Sequence, residues 1–472
     1  MKKHRIKDWL RLLWPFTALY EYANTQREYY YTLNVFVIGT MLGSFFSMCT
    51  GGVALVGYAK ALGISDFLFG IITAIPTACM LMSFVASWVL EKTRNRKAIQ
   101  LWAFFPARFM WLLIAMIPFI VPMEQTGLRV MMFVVLYTAI SLFSQMGGAA
   151  GNTWLFDMLP PSIQGRYFSY RSLFATAVNI VASFAVSAFL DAMSNTMTAY
   201  TISFLIGAII GIADITTFIW TKDPPMKPMH TSYIKGMAKA LKSKPFLKMM
   251  LFWTLWNFAY HSSFAYYGRY MTVGDGMNMS MKLFSVISQV LVGIVVVLVL
   301  PWWGKWLDRN GRNWVLKHSI WFLAAVPMLW LFARPGNILV PLIYFVLFAA
   351  TSCGVDLSAT HMAVRVFPAQ SRSVYLAIYT TVSSLAGTVL GNLCGGWFLS
   401  LIGERQFQFL GFALNRYQLL FLASGVMRLI VLCLFFGMLT KIKNREDDPA
   451  AQAEDEQAAL ATQVPAAASG KG

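Results

Sequence analysis

Long apolar stretches, separated by short charged or Pro/Gly-rich breaks, fill the chain from about residue 31 to residue 440. Each stretch is long enough for an α-helix to cross a hydrocarbon core of about 30 Å. The pattern therefore predicts transmembrane helices rather than strands or soluble domains. We place twelve of them, numbered spans 1 to 12, at residues 31–59, 66–90, 98–121, 128–157, 167–190, 198–220, 246–270, 280–303, 314–333, 338–366, 374–402 and 416–440.

Composition and charge agree with this interpretation. Of the 472 residues 58% are hydrophobic and 12% charged, whereas a soluble domain has about 25% charged residues. The net charge of +18 raises the question of nucleic-acid binding, but most Lys and Arg residues fall on one side of a bilayer if both termini are cytoplasmic. This is the positive-inside rule. We therefore expect a multi-pass protein of the cytoplasmic (inner) membrane, with the lipid bilayer and not nucleic acid as its partner.

The polar segments divide the chain into five regions. Residues 1–30 predict an interfacial or cytoplasmic N-terminal segment, with a soluble docking arm as the alternative. Residues 31–220 form a first six-helix bundle, and the lysine-rich residues 221–245 form a cytoplasmic linker. Residues 246–441 form a second six-helix bundle. The tail 442–472 has almost no large apolar residues, so we expect it to be disordered in the cytoplasm.

An internal repeat supports the division into halves. Residues 304–313, between spans 8 and 9, read GKWLDRNGRN, and residues 87–97, between spans 2 and 3, read SWVLEKTRNRK. The acidic positions are 308 − 91 = 217 residues apart. A second repeat pairs LPPSIQGRY at 159–167 with VFPAQSR at 366–372. The arginines of this pair, Arg166 and Arg372, are 372 − 166 = 206 residues apart. Two parallel repeats of six helices are a known transporter plan.

These loops resemble the major facilitator superfamily, whose signature Gly-x-x-x-Asp-Arg/Lys-x-Gly-Arg/Lys-Arg/Lys lies between helices 2 and 3 and between helices 8 and 9. The match at 304–313 is nearly complete, and the resemblance covers the whole membrane portion. It is specific to the superfamily and not to a substrate. It implies an all-α membrane protein with twelve transmembrane helices in two pseudosymmetric bundles, which transports a solute by alternating access.

The resemblance also implies a cytoplasmic gate at the signature loops. Gly304 would let a neighbouring helix approach closely, and Gly311 would allow the turn. Asp308, at the end of its own helix, would contact the start of helix 11 and latch the cytoplasmic side. The alternative is that these are solvated loop charges that only set orientation. The predicted gating residues are Glu91, Arg166, Gly304, Asp308, Arg309, Gly311, Arg312 and Arg372.

Charged residues inside spans are costly, by about 2.5 to 3.5 kcal/mol each on insertion scales, and often mark function. Four charged residues lie well inside the spans, away from the span ends: Arg108, Asp214, Asp356 and Arg428. The resemblance implies that helices 1, 4, 7 and 10 line the central cavity, which favours Asp356 as the coupling residue for H⁺ or Na⁺. Thr360 could hydrogen-bond its neutral form. The alternative makes Asp356 an ionised partner of Arg365 or Arg428, and the other three charges remain either structural or functional.

Polar residues of the predicted cavity helices are the candidates for substrate binding. Asn257 and His261 are spaced i,i+4 on span 7, where they share a helix face beside aromatic residues that suit a small amphipathic ligand. Each could instead be an interhelical hydrogen bond. The candidates are Gln145, Asn257, Tyr260, His261, Gln289 and Asn392.

Other classes of protein find little support. The five histidines are dispersed, and the five cysteines form no CxxC pair, so we expect no enzyme activity, metal or cofactor. No filter-like repeat indicates a channel. We predict a secondary transporter, expected to be a monomer, that takes up a small organic solute by proton or cation symport. The alternatives are an exporter of amphipathic compounds or drugs, and a non-transporting substrate sensor.

Overall fold

The structure is a computed structural model. It describes residues 27–440, except for 123, 160, 194–195, 224–239, 275, 367–371, 404–406 and 410–411. The predicted N-terminal segment up to residue 26, most of the linker and the tail from residue 441 lie outside the described residues.

Twelve long helices, α1 to α12, run through the described part of the chain, and several contain a short 3-10 or π segment. The first six are α1 (Arg27–Thr50, then Gly52–Ala61), α2 (Asp66–Ala78, Cys79–Leu81, Met82–Thr93), α3 (Arg96–Ile120), α4 (Thr126–Met158), α5 (Pro161–Ala192) and α6 (Thr196–Thr217). The second six are α7 (Lys244–Thr272), α8 (Met281–Ser285, Val286–Leu291, Val292–Asn310), α9 (Arg312–Ala325, Val326–Phe332), α10 (Leu339–Val366), α11 (Arg372–Val382, Ser383–Val389, Leu390–Ile402) and α12 (Arg416–Thr440).

The predicted twelve-helix fold in two six-helix bundles is confirmed. By length and apolar composition, 11 helices of the described residues can cross a membrane. The remaining long helix, α7, is 29 residues long but includes Asn257, His261 and Arg269 among its residues. Its polar residues are tolerated because about half of the helix is buried, so that much of its surface faces protein rather than lipid.

Both signature loops turn at a residue with positive φ, although the ψ angles differ, 166° at Gly311 and 23° at Arg94. Gly311 ends α8 with a φ of 78°, and Arg94 ends α2 with a φ of 51°. These positions are 311 − 94 = 217 residues apart, the same offset as the acidic pair. The turn predicted for Gly311 is confirmed, and Arg94 adopts a left-handed conformation that ordinarily favours glycine.

One small element escapes sequence prediction. Between α11 and α12, β1 (Phe407–Phe409) pairs antiparallel with β2 (Phe412–Leu414). Each strand has only three residues, which is too short for an alternation of apolar and polar side chains to be recognised in the sequence between two long helices.

Aromatic clusters hold the core of each bundle. In the first, Tyr58 contacts Phe204 at a ring distance of 4.9 Å and Phe133 at 5.4 Å. In the second, Tyr267 contacts Phe421 at 4.5 Å and Trp330 at 5.3 Å. Edge-on and offset contacts of this kind add to the burial of large apolar area.

A buried arginine ties together three helix ends of the first bundle. Arg96, fully buried at the start of α3, forms ion pairs with Asp157 at the end of α4 and with Asp223 beyond α6. Asp223 also accepts the backbone N–H groups of Arg96 and Lys97, at 3.0 and 3.2 Å. Because free N–H groups and the helix dipole favour an anion there, Asp223 caps α3.

We expect Arg96→Gln to destabilise the protein by about 2 to 4 kcal/mol, because it leaves Asp223 without its charged partner in a largely buried site. Thermal unfolding followed by tryptophan fluorescence measures the change. Lys92→Gln is the matched control, since Lys92 is exposed nearby. Equal melting temperatures for the two variants would show that Arg96 has no structural role.

Candidate functional site

The two bundles meet at an ion cluster, which we call the closed-end cluster, around Asp66 at the start of α2. Its carboxylate pairs with Arg269 of α7 and, at 3.4 Å, with Arg416 of α12. It also accepts a hydrogen bond of 2.8 Å from the Tyr417 hydroxyl. The Asp66 side chain is only 6% exposed. A charge buried so deeply requires this many partners.

A reciprocal contact surrounds Asp66. Lys60, near the end of α1, donates to the backbone oxygen of Thr272, the last residue of α7. Arg269, near the end of α7, donates to the backbone oxygen of Ile64, just after α1. These two cations are 269 − 60 = 209 residues apart, close to the repeat offset. Each bundle thus places a cation at a helix C-terminus of the other, where the dipole favours positive charge.

A second contact joins the bundles at the same end. Asp191, near the end of α5, accepts the backbone N–H groups of Met281 and Lys282 at the start of α8, at 2.9 and 2.6 Å. Further in, the Ser285 hydroxyl donates to the backbone oxygen of Ser183 at 3.0 Å. We call the end that holds these contacts the closed end.

Toward the opposite, open end, a cavity of about 360 Å³ enters the first bundle. Two of its lining residues, Ser47 and Asn152, are exposed. The lining comes from five helices and consists of Phe36, Gly39, Thr40, Gly43, Ser44, Ser47, Met48, Gln100, Phe104, Arg108, Gly148, Gly151, Asn152, Arg171, Asn179, Asp214, Ile215 and Phe218.

The predicted polar pair of α7 packs against α11. A Cβ on Gly387 would lie 2.7 Å from the Cβ of Asn257, and one on Gly391 would lie 3.3 Å from the Cβ of His261. Both side chains are half-buried. The shared face predicted from the i,i+4 spacing is therefore also a helix contact that depends on glycines.

Tyr260 lies beside this pair on α7, with its ring 4.9 Å from the ring of His261. Its ring stacks on Phe264 at 5.0 Å and contacts Phe348 of α10 at 6.3 Å. The guanidinium of Arg428 lies 4.9 Å from the Tyr260 ring centroid. Tyr260 is thus part of an aromatic wall supported by a buried cation.

The other three candidates are scattered. The Gln145 amide donates to the backbone oxygen of Pro76 at 2.9 Å, within the first bundle. Gln289 is half-buried in the π segment of α8. Asn392 is buried, and its side-chain oxygen has no hydrogen-bond partner. The structure therefore brings Asn257, Tyr260 and His261 together and leaves Gln145 in an interhelical bond.

Asp356 is exposed on α10. The hydroxyl of Thr360 donates to the backbone oxygen of Asp356 at 2.8 Å, as a helical threonine readily does with the carbonyl four residues earlier. A bond of Thr360 to the neutral Asp356 carboxyl group remains a prediction. Arg428 donates instead to Ser263 and to the backbone oxygens of Leu323 and Tyr260.

The signature residues divide into described and undescribed side chains. Five side chains named in the sequence analysis lie outside the described part of the structure, those of Glu91, Arg166, Asp308, Arg365 and Arg372. The latch therefore remains a prediction. Arg309 is exposed, whereas Arg312 is buried and donates to Asn313. A Cβ at Gly304 would meet no described atom within 4 Å, so the close helix approach there remains a prediction for the state in which this end is closed.

Sequence reasoning missed the closed-end cluster. Its charged residues lie at the ends of three different spans and far apart along the chain: Asp66, Arg269 and Arg416. No local sequence motif therefore joins them. The signal that could have found them is the placement of opposite charges at span ends on one predicted side of the membrane.

Two helical bundles joined at one end, with a polar cavity open toward the other, define a membrane transport protein of the two-bundle class. The family model described as Major Facilitator Superfamily matches residues 36–337 and 287–468. The chain belongs to this superfamily, as the signature loops predicted. No curated protein sequence matches the chain.

Solved structures of similar fold are transporters. A bacterial homolog of the human lysosomal transporter Spinster, in an inward-facing and unoccupied conformation, gives a TM-score of 0.66 at 13% identity, covering 88% of this chain and 98% of its own. Nucleoside transporter NupG gives 0.60 at 14%, covering 85% and 98%. The inward-open xylose transporter XylE from E. coli gives 0.61 at 13%, covering 86% and 95%. At these identities the likeness shows the fold alone.

We expect Asp66→Asn to open the closed end, because breaking a buried ion pair costs about 3 to 5 kcal/mol and leaves two arginines without their counter-ion. The measurement is labelling of Ser47→Cys, in a background without native cysteines, by an impermeant thiol reagent added at the closed end. The rate should rise at least about tenfold, which corresponds to about 1.4 kcal/mol.

Glu124→Gln is the matched control, since Glu124 is an exposed acid that follows α3. Equal labelling of the Asp66 and Glu124 variants would show that the cluster does not hold the bundles together.

Proposed function

We propose that this protein is a secondary active transporter that takes up a small organic solute across the cytoplasmic membrane, coupled to a proton or another cation. The observation that carries the proposal is the closed-end cluster, whose contacts join the bundles at one end while the cavity opens toward the other. This is the geometry of one state of an alternating-access cycle around a central site.

The direction of opening depends on orientation in the membrane. With both termini cytoplasmic, as the positive-inside rule favours, the closed end faces outward and the cavity faces the cytoplasm. The closed-end cluster is then an outer gate, and the signature loops with Asp308 and Glu91 are the inner latch that would form when the outer gate opens. The two gates hold opposite states of the same protein.

The substrate belongs to the class of small polar or amphipathic organic molecules. The aromatic wall at Tyr260 and the polar side chains of Asn257 and His261 support such a ligand, since binding pockets combine apolar walls with a few polar groups. The similar folds named above include transporters of a nucleoside and of xylose, which are small organic solutes. For coupling, Asp356 remains the residue predicted from the sequence.

The test is a screen of purified protein against sugars, nucleosides, amino acids, organic acids and drugs by thermal shift, because a ligand that prefers the folded state raises the melting temperature. Hits are then tested for accumulation in proteoliposomes under a pH or Na⁺ gradient. Accumulation of one solute supports uptake. Binding without flux would instead identify a sensor, and efflux alone an exporter.

If Asp356 is the coupling residue, Asp356→Asn should abolish accumulation driven by a pH gradient but keep exchange at equal concentrations on both sides. Its amide cannot carry the proton, while the alternating-access cycle is intact. Accumulation and exchange of the same labelled solute in proteoliposomes separate the two. Wild-type accumulation in this variant would exclude Asp356 as the coupling residue.

We expect a cysteine introduced in place of Lys235 to be protected from an impermeant thiol reagent in intact cells and labelled after permeabilisation. The reason is that the lysine-rich linker should be retained in the cytoplasm. A cysteine introduced at Glu124, on the opposite predicted side, is the control and should be labelled in intact cells. The reverse pattern would invert the proposed direction of the gates.

A further inference from the structure

The cavity of the first bundle contains a charge pair that the proposed central site does not use. Arg108 of α3 and Asp214 of α6 line it, and both residues are less than a tenth exposed. Their closest ion-pair distance, from Nη2 to Oδ2, is 3.8 Å, which is longer than a hydrogen bond. The pair is therefore close but not fully engaged.

Both partners have a buried atom without a hydrogen bond. Among the described residues, the Nε of Arg108 and the Oδ1 of Asp214 have no partner, and neither have the side-chain oxygens of Gln100 and Asn179 in the same cavity lining. Buried polar groups are nearly always paired. Four unpaired polar atoms around one cavity indicate a site that a polar ligand completes.

The packing fixes Arg108 in place. Its guanidinium lies 3.7 Å from the ring centroid of Phe46 and 5.2 Å from that of Phe104. A Cβ on Gly211 would lie 2.7 Å from the Cδ of Arg108, and one on Gly39 would lie 2.8 Å from the Oδ1 of Asp214. Glycines at these two positions leave the room that the pair occupies, so the guanidinium is held ready for a ligand.

The charge of the cavity favours an anion. Its charged lining residues are Arg108 from α3, Arg171 from α5 and Asp214 from α6, while the lining from α1 and α4 contributes uncharged residues. The sum is one positive charge. Arg108 also lies too close to Asp214 for a metal cation to bind there without repulsion. A guanidinium offers a planar set of donors that matches the two oxygens of a carboxylate.

We propose that this cavity binds the carboxylate group of an organic acid, and that Asp214 takes up a proton when Arg108 pairs with the ligand instead. The inference rests on the proposed transport function and names its substrate class. Among the described residues Asp214 forms its ion pair with Arg108, whereas Arg171 donates to the Thr40 hydroxyl. The Arg108 guanidinium cannot neutralise both Asp214 and a ligand carboxylate, and an unpaired charge in such a site is costly. A proton from solution moves onto Asp214, so the ligand anion and the proton enter together and the charge of the site is unchanged.

The experiment measures binding and proton uptake on the purified full-length protein. The probes are lactate, succinate, gluconate and benzoate, with lactamide and benzamide as uncharged controls. We expect at least one acid to raise the melting temperature while the amides do not. In weakly buffered solution with a pH indicator, binding should take up about one proton per carboxylate, as linkage requires when a group gains a proton in the complex.

Variants assign the two roles. Asp214→Asn should bind the acid without proton uptake. Arg108→Gln could fail to fold because it leaves Asp214 unpaired, so the test uses the double variant R108Q/D214N, which removes both charges and should fold but bind the acid at least tenfold more weakly, about 1.4 kcal/mol. Glu124→Gln should behave as wild type in both measurements.

Several results would overturn the inference. Equal stabilisation by amides and acids, wild-type affinity of R108Q/D214N, or proton uptake lost in Asp356→Asn but kept in Asp214→Asn each contradicts it. If proteoliposomes accumulate neutral solutes and no acid, the proposed transport stands and this inference fails. If no solute of any class binds or moves, the proposed function fails as well.

Discussion

The buried carboxylate of Asp66 is the contact on which the arrangement of the two bundles depends. It neutralises arginines from α7 and α12 and accepts a hydrogen bond from the Tyr417 hydroxyl of α12, so two helices of the second bundle converge on one residue of the first at the closed end. Charges removed from water are stable only while such partners remain in place. The same requirement makes the cluster a gate, because separating the bundles must return these charges to water together.

The internal repeat gives this gate its form. Lys60 and Arg269 occupy corresponding places in α1 and α7, and each caps the other bundle's helix. At the opposite end, the two signature loops each turn at a residue with positive φ, Arg94 and Gly311. Because the two bundles are repeats of one unit, a contact that the first bundle makes with the second is matched by a similar contact that the second makes with the first. With one set of paired contacts at each end of the helices, the two ends would be able to close alternately.

The interior charges show where the two halves differ. In the first bundle Arg108 and Asp214 lie 3.8 Å apart in the lining of a cavity, with unpaired polar atoms around them among the described residues. In the second, Arg428 donates to backbone oxygens and to Ser263, and lies over the Tyr260 ring. One arginine faces a space that a ligand can enter, while the other ties α12 to α7 and α9. The shared fold thus places one interior arginine at a cavity and the other in a set of contacts between helices.

The sequence by itself determined the membrane class, the twelve helices and the superfamily, because a hydrocarbon core imposes one length and one polarity on every span. It also determined the turn at Gly311, since that backbone conformation is local. Only the tertiary structure decided which charges meet. Asp66 lies far from Arg269 and Arg416 along the chain, and Arg108 meets Asp214 at a place where glycines of α1 and α6 leave room for the two side chains. Local patterns reveal that a residue is charged and buried; its partner is set by how the helices pack around it.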